Sequence, residues 1–296
     1  MSTTPPLVLR DGDVALDRLD EDGVHAFDVR WEGERVGRVE LLADDNGDAE
    51  LLWVLVPEYR AVGVAERALR LVVEWALHSQ GLERVEAHVD DADRDAVRAA
   101  MRAGLLKEGV ARGAVGPGGS RRDVIQLARL RRDAGPDTRE GFIAQLNSAL
   151  PTKRAIAQGV LRDPAGRVLL CELVYKQEWD LPGGVVDPLE SPAECVVREV
   201  REELGLELEV RGLLAVNWLP PWRGWSDATV FVFDLGRADT GLLQRATLQA
   251  REIRAVHFAG EEEWEHRVAP YNQRLLAFLS AHTGPTAYLE DGLPAL

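Results

Sequence analysis

The chain has 296 residues, 46% of them hydrophobic and 29% charged, with a net charge of −15. That length holds two domains with cores of their own, and the composition is that of a globular protein rather than a disordered or fibrous one. The acidic excess is spread over both halves, which excludes a basic face for long nucleic acid and leaves a small phosphorylated metabolite as the expected partner.

In chain order, MSTTPPLVLRDGD lacks the basic start and apolar core of a secretory signal, so a cytoplasmic protein is expected. His25–Trp31 and Arg35–Leu42 flank Glu32-Gly33-Glu34 and read as a hairpin. Ala49–Val56 is a buried strand. Glu66–His78 places Leu69, Val72, Val73, Ala76 and Leu77 at helical spacing. Leu82–Val89 reads as a strand, Arg94–Ala103 as a short helix and Asp123–Leu130 as a last strand.

Between the strand ending at Val56 and the next helix, Arg60-x-x-Gly63-x-Ala65 resembles the Q/R-x-x-G-x-G/A loop of GNAT-type N-acetyltransferases. The resemblance covers residues 7–130. It implies acetyl-CoA, its pyrophosphate held near Arg60, Gly63 and Ala65 by backbone N–H groups at a helix start. Asp93 and Ala96 stand where that family often has Asn and Ser, and Leu127 where it often has a tyrosine acid. Asp11–Val24 is too short for the two helices that usually shape the acceptor site. A strand-turn-helix with a glycine turn that binds nothing is the plain alternative.

Arg129–Asp137 (RLRRDAGPD) is a charged break with Gly and Pro. The expected division is a GNAT-like domain over 1–133, a linker with a short bridging helix (Arg139–Ala149) over 134–152, and a second domain over 153–296. In the second domain Lys153–Leu161, Arg167–Val174, Leu208–Trp218, Ala228–Leu235 and Ile253–Phe258 read as strands, and Pro270–His282 as a helix. Cys171 and Cys195 are expected to be small core residues in a reducing compartment. No apolar run approaches the ~18 residues that a membrane span requires.

Gly184–Leu206 reads GVVDPLESPAECVVREVREELGL and fits G-x5-E-x7-R-E-U-x-E-E-x-G-U, with U aliphatic, at every fixed position. Ser191 can cap a helix with Pro192 in its first turn, and Gly205 can end it. Ala193, Val197, Val200 and Leu204 then share one face, and Glu199, Glu202 and Glu203 project from a neighbouring one. Three carboxylates on one turn repel unless positive charge lies among them, and a hard divalent cation suits such oxygen donors. Arg198 can reach back to Glu190 and pin the preceding loop.

This string, with Leu181-Pro182-Gly183-Gly184 before it, resembles the Nudix box of diphosphate hydrolases. The resemblance implies Mg²⁺ or Mn²⁺ held by Glu202, Glu203 and Glu199, with Glu199 as ligand or general base. It also implies the Gly184 carbonyl as a further ligand and a structural Glu190–Arg198 pair. Glu252 is a candidate for an extra carboxylate from outside the box. The loop Trp218–Asp227 offers Trp222 for stacking on a base and Arg223 for a phosphate. Lys176 and Trp179 lie on the approach to the box, with Lys176 a candidate phosphate contact. Pro221 stands at a spacing that some ADP-ribose pyrophosphatases of the family share.

The expected fold is α+β in two domains: a GNAT-like mixed sheet with helices, then a Nudix α/β/α sandwich on a mixed sheet. The expected activity is metal-dependent hydrolysis of a diphosphate linkage in a nucleoside diphosphate derivative, with an ADP-ribose-like substrate favoured. The alternatives are an N-acetyltransferase with an accessory Nudix domain, and a nucleotide sensor without turnover.

Overall fold

A computed structural model describes residues 7–21, 24–59, 63–115, 120–239 and 241–295. The chain forms two compact units, Met1–Pro151 and Thr152–Leu296.

The first unit contains β1 (Val8–Asp11), β2 (Val14–Glu21), β3 (Val24–Trp31), β4 (Glu34–Ala43), β5 (Asp48–Leu55), α1 (Val64–Glu74), β6 (Arg84–Asp90), α2 (Arg94–Arg102), β7 (Leu106–Val115), β8 (Arg121–Leu130) and α3 (Arg139–Ala149). The strands make one eight-stranded sheet in the order β1-β2-β3-β4-β5-β6-β8-β7. The β3–β4 turn works because Glu32 and Gly33 both take positive φ, 50° and 87°, which matches the twist of the hairpin. Among the described residues, Asp11–Val24 does not carry helices: it is largely β2, whose Val14 and Leu16 are fully buried on the side where α1 packs. α1 closes that core with Ala68, Leu69, Val72 and Val73, and its last turn widens into a π turn over Trp75–Ser79.

β5 and β6 run parallel but pair only through Asp48–Glu50 against Arg84–Glu86. Beyond that point each strand has an edge with no partner strand among the described residues, and a cleft opens between them. α3, read from the sequence as a bridge, lies inside the first unit, where Gln145 Nε2 donates to the Met101 carbonyl at 2.9 Å.

The second unit contains β9 (Arg154–Arg162), β10 (Val168–Leu173), β11 (Gly183–Val185), α4 (Pro192–Leu204), β12 (Gly212–Leu219), β13 (Ala228–Arg237), α5 (Leu242–Arg245), β14 (Ile253–Ala259), α6 (Glu261–Trp264), α7 (Pro270–Ala281), β15 (Ala287–Glu290) and β16 (Leu293–Pro294). The sheet order is β14-β10-β9-β13-β12-β15-β16, with β11 on β9. It is mixed: β13 is parallel to β9 and β12 to β15, while β10 is antiparallel to β14.

The period of two along β9 sorts this unit into layers. Ala157 and Leu161 face α4, where Val196, Val200 and Leu204 are fully buried. Ile156 and Val160 face α7, with Leu275 and Leu276. The result is the α/β/α sandwich. The strand expected from Leu208 starts at Gly212, because Leu208 and Val210 pack on the α4 core without a partner strand. Among the described residues, no helix is long and apolar enough to cross a membrane.

Candidate functional site

α4 is held at both ends by the residues its sequence offers. Ser191 Oγ accepts from the Glu194 amide while the Glu194 carboxylate accepts from the Ser191 amide, Pro192 occupies the first turn, and Gly205 ends the helix at φ 65°. Arg198 then faces the preceding loop. Its Nε and a terminal nitrogen donate to the two Glu190 oxygens at 2.7 and 3.0 Å. This two-point pair holds the Glu190 carboxyl down at about 2. Glu190 also accepts from the Asp187 amide, which closes the loop between β11 and α4.

The other Arg198 nitrogen donates to Glu199 at 3.0 Å and to Glu202 at 3.1 Å. One guanidinium therefore balances three of the motif's carboxylates. Glu203 is left out of that arrangement. It is 6% exposed, and among the described residues it accepts only from the Gly183 amide, at 3.3 Å. Burial pushes its carboxyl up to about 8 against that hydrogen bond, with Glu199, Glu252 and Asp180 adding repulsion. Burial raises Glu199 too, against the pull of Arg198. Among the described residues, no three His, Cys, Asp or Glu side chains are already gathered as a finished metal cage.

Gly184 lies beside this cluster on β11. A Cβ there would run into the Glu199 carboxylate, so glycine is what lets the strand approach the helix so closely. The Cys195 thiol sits 3.7 Å from the Gly184 carbonyl and 3.5 Å from that of Val185. Glu252 is exposed, and it adds to the upward shift of Glu199, Glu203 and Tyr175.

Sequence reasoning missed Asp180, which organises the approach strand. One of its oxygens accepts from Gln158 at 2.8 Å, from Asn272 at 2.7 Å and from the Leu181 amide at 2.9 Å; the other pairs with Lys176. Lys176 is therefore neutralised by Asp180. Trp179 is buried, stacked on His257 at 4.2 Å with the Arg267 guanidinium 4.5 Å over its ring, and belongs to the α7 core rather than to an open approach. Only the position of Asp180 next to LPGG signalled it, because its partners come from β9 and α7.

Trp222 and Trp225 close a tight turn in which Arg223 and Gly224 take positive φ, 47° and 87°. Both indoles are exposed. Arg223 lies over Trp222 at 4.3 Å and pairs with Glu178 at 2.9 Å, and Tyr271 meets Trp222 edge-on at 6.1 Å.

In the first unit, the space between the parting β5 and β6 is a cleft of about 900 Å³. Leu51–Leu55 line one wall and His88–Asp90 the other, with Ala65, Ala96 and Ala99 between them. Ala65 of the predicted loop thus reaches the cleft; Gly63 stands before α1 at φ 79°, with no side chain among the described residues capping the helix. Arg60, Ala61 and Val62 lie outside the described residues. Asp93 caps α2 by accepting from the Ala96 amide at 3.0 Å, and Leu127 is buried in the core.

Residues 152–279 match the NUDIX domain, and residues 10–106 match the Acetyltransferase (GNAT) domain. The chain joins a GNAT domain in its first unit to a Nudix domain in its second. It is similar to an RNA pyrophosphohydrolase of Pseudomonas fluorescens, 36% identical over 22% of this chain and 38% of that protein. It is also similar to the nucleoside triphosphatase NudI of Klebsiella pneumoniae, 35% identical over 25% of this chain and 52% of that protein. The chain thus spans about half the length, or less, of these relatives. A solved chimera built on the spermidine N-acetyltransferase of Vibrio cholerae shares 21% identity over 38% of this chain and 69% of that one, with a TM-score of 0.34.

Proposed function

We propose that the second unit hydrolyses a diphosphate linkage in a small nucleoside diphosphate derivative, with Mg²⁺ or Mn²⁺. The observation that carries this reading is Glu203: a buried carboxylate at about 8, beside Glu199 and Glu202, with one guanidinium shared among the neighbours. Such a donor set is short of positive charge, and its all-oxygen chemistry fits a hard divalent cation. Glu199, Glu202 and Glu203, with the Gly184 carbonyl, are the residues that would hold it. When bound, the cation polarises a phosphoryl oxygen and lowers the pKa of a water.

The chain's own groups do the rest. The Glu190–Arg198 pair keeps the loop before α4 fixed, so that the glutamates and Gly184 hold their spacing. Glu199, raised by burial, is the candidate to take a proton from the attacking water, with Glu252, whose charge also raises it, the candidate carboxylate from outside the motif. Trp222 offers an exposed face for a nucleobase and Arg223 a cation for a phosphate; Lys176 acts only if a substrate phosphate draws it from Asp180. Pro221 in the same loop favours an ADP-ribose-like substrate within this class.

Purified protein with Mg²⁺ or Mn²⁺ is to be assayed against ADP-ribose, sugar nucleotides, dinucleoside polyphosphates, NADH, (d)NTPs and a 5′-triphosphorylated oligonucleotide. Metal-dependent release of a mononucleotide from ADP-ribose or a close relative is expected. No product from any member, with tight metal-dependent binding instead, would replace the hydrolase by a sensor.

A second reading concerns the first unit. The cleft between β5 and β6 presents two strand edges without partners, which suits an extended ligand bearing amides, such as an acyl-CoA, with its pyrophosphate near Gly63 and the start of α1. Calorimetry with acetyl-CoA on the full chain tests it: heat that saturates supports the reading, and its absence at millimolar ligand removes it.

A further inference from the structure

We propose that the Asp291-Gly292 turn between β15 and β16 is a clamp for the base-binding side of the second unit's site, with Asn217, Arg274 and Gly292 as positioning residues. The proposal rests on the reading of Trp222 as the face for a nucleobase. Trp222 stands just beyond the end of β12, and its ring meets Tyr271 in the first turn of α7. Next to Tyr271, Asn272 Nδ2 donates to Asp180, which leads into Leu181-Pro182-Gly183-Gly184. The end of β12 and the start of α7 must therefore keep a fixed relation for both sides of the site to meet one substrate.

The turn joins those two elements. Asp291 and Gly292 take φ 51° and 81°, the conformation of a tight two-residue hairpin, and Leu289 before them is fully buried in the α7 core. The Asp291 amide donates to the Trp218 carbonyl at 2.8 Å, and the Asp291 carbonyl accepts from Arg274 Nε at 2.6 Å. The backbone of one residue thus bridges β12 and α7. Arg274 also pairs with the Asp291 carboxylate at 2.5 Å. A Cβ at Gly292 would lie 2.4 Å from the Tyr271 carbonyl oxygen and 3.0 Å from the Leu275 amide nitrogen, so only glycine lets the turn seat against the first turn of α7.

The Gly292 amide donates to Asn217 Oδ1 at 2.9 Å. Asn217 is 1% exposed, and its Nδ2 has no partner among the described residues. A buried donor left unpaired lowers stability, so stability alone does not explain an asparagine there. What its bond secures is the place of the turn between Trp218 and Tyr271. Trp218 Nε1 in turn donates to Asp227 Oδ2 at 3.2 Å, so the residue held by the turn also closes the far end of the loop that carries Trp222. Moving the turn shifts Trp218 against Tyr271, and the Trp222 face with them, while the carboxylates on α4 stay in place.

The test is steady-state kinetics on the full chain with Mg²⁺ and ADP-ribose, or the panel nucleotide that turns over fastest if ADP-ribose is inert. Gly292→Ala should raise KM about five- to thirtyfold, as loss of the Trp222 face would, with kcat within about twofold. Arg274→Ala forces nothing into the core, because its side chain is partly exposed. It should raise KM about threefold or more and lower Tm by no more than about 4 °C, and Arg274→Lys, which keeps the charge opposite Asp291, should do less. On a Trp222→Ala background, Gly292→Ala and Arg274→Ala should each add less than about twofold in KM, because the face they position is gone. Unchanged KM in both variants, or the same rise in KM with and without Trp222, would overturn the clamp and leave the hydrolase standing. No turnover of any panel nucleotide by wild type removes the hydrolase reading, and the clamp with it.

Discussion

The two units use mixed eight-stranded sheets to different ends. In the second, the candidate chemistry is crowded onto one helix: Arg198, Glu199, Glu202 and Glu203 lie within two turns of α4, and Gly184 meets them from the adjacent β11. In the first, no single element carries a site. The cleft exists because β5 and β6 stop pairing after Glu50 and Glu86, and its polar groups come from four strands and a helix. A site carried by one capped helix needs little from the rest of the fold to hold its spacing. A site made by parting strands depends on everything that keeps those strands apart.

The sharpest way to break this comparison is in the helix. Glu202→Gln and Glu203→Gln should each lower diphosphate turnover at least about a hundredfold, since each removes an anionic donor that the proposed cation needs. Circular dichroism should show the fold intact, and near-normal turnover in both variants would sink the assignment. Gly184→Ala comes next. Its methyl group displaces the Glu199 carboxylate, and a shift of that kind should cost about tenfold to a hundredfold in kcat with small change in KM.

Trp222→Ala separates recognition from chemistry. Loss of one stacking face, worth about 1–2 kcal/mol, should raise KM for a nucleotide substrate about five- to thirtyfold while kcat stays the same. An unchanged KM would move the base-binding role away from the Trp218–Asp227 loop.

The smallest effect is in stability against pH, in chelated protein. Glu203 has a folded pKa of about 8, above the ordinary 4.5, so its neutral form is the one the fold prefers. The stability it contributes is complete below about 4.5 and is lost as pH rises through about 8. Melting temperature should therefore fall over that interval in wild type. In Glu203→Gln, which is neutral throughout, this part of the slope should vanish, and the difference between the two curves isolates the residue.

Much of the second unit was legible because its determinants are local. Ser191, Pro192 and Gly205 mark the ends of α4, and the glutamate spacing places three carboxylates on one side of it. The strands β9 and β13 end within a residue or two of the bounds read from the sequence. Asp180 was not legible, because its meaning comes from Gln158 and Asn272, which are distant in the chain. Nor was the burial of Trp179, which depends on His257 and Arg267, both distant from it in the chain. In the first unit, Asp11–Val24 was too short for helices, but the strand β2 that it forms is defined by its register with β3.

The amino-acid sequence alone determined the capped helix, the spacing of Glu199, Glu202 and Glu203, and the glycine at 184. These follow from the helical period and from backbone sterics, which act over a few residues. Only the tertiary structure decided that Glu203 is buried and Glu202 exposed, that Lys176 is already paired, and that Glu50 meets His88 where two strands part. Those outcomes depend on solvent exclusion and on charges brought together across sheets, and neither has a signature at short range in the chain.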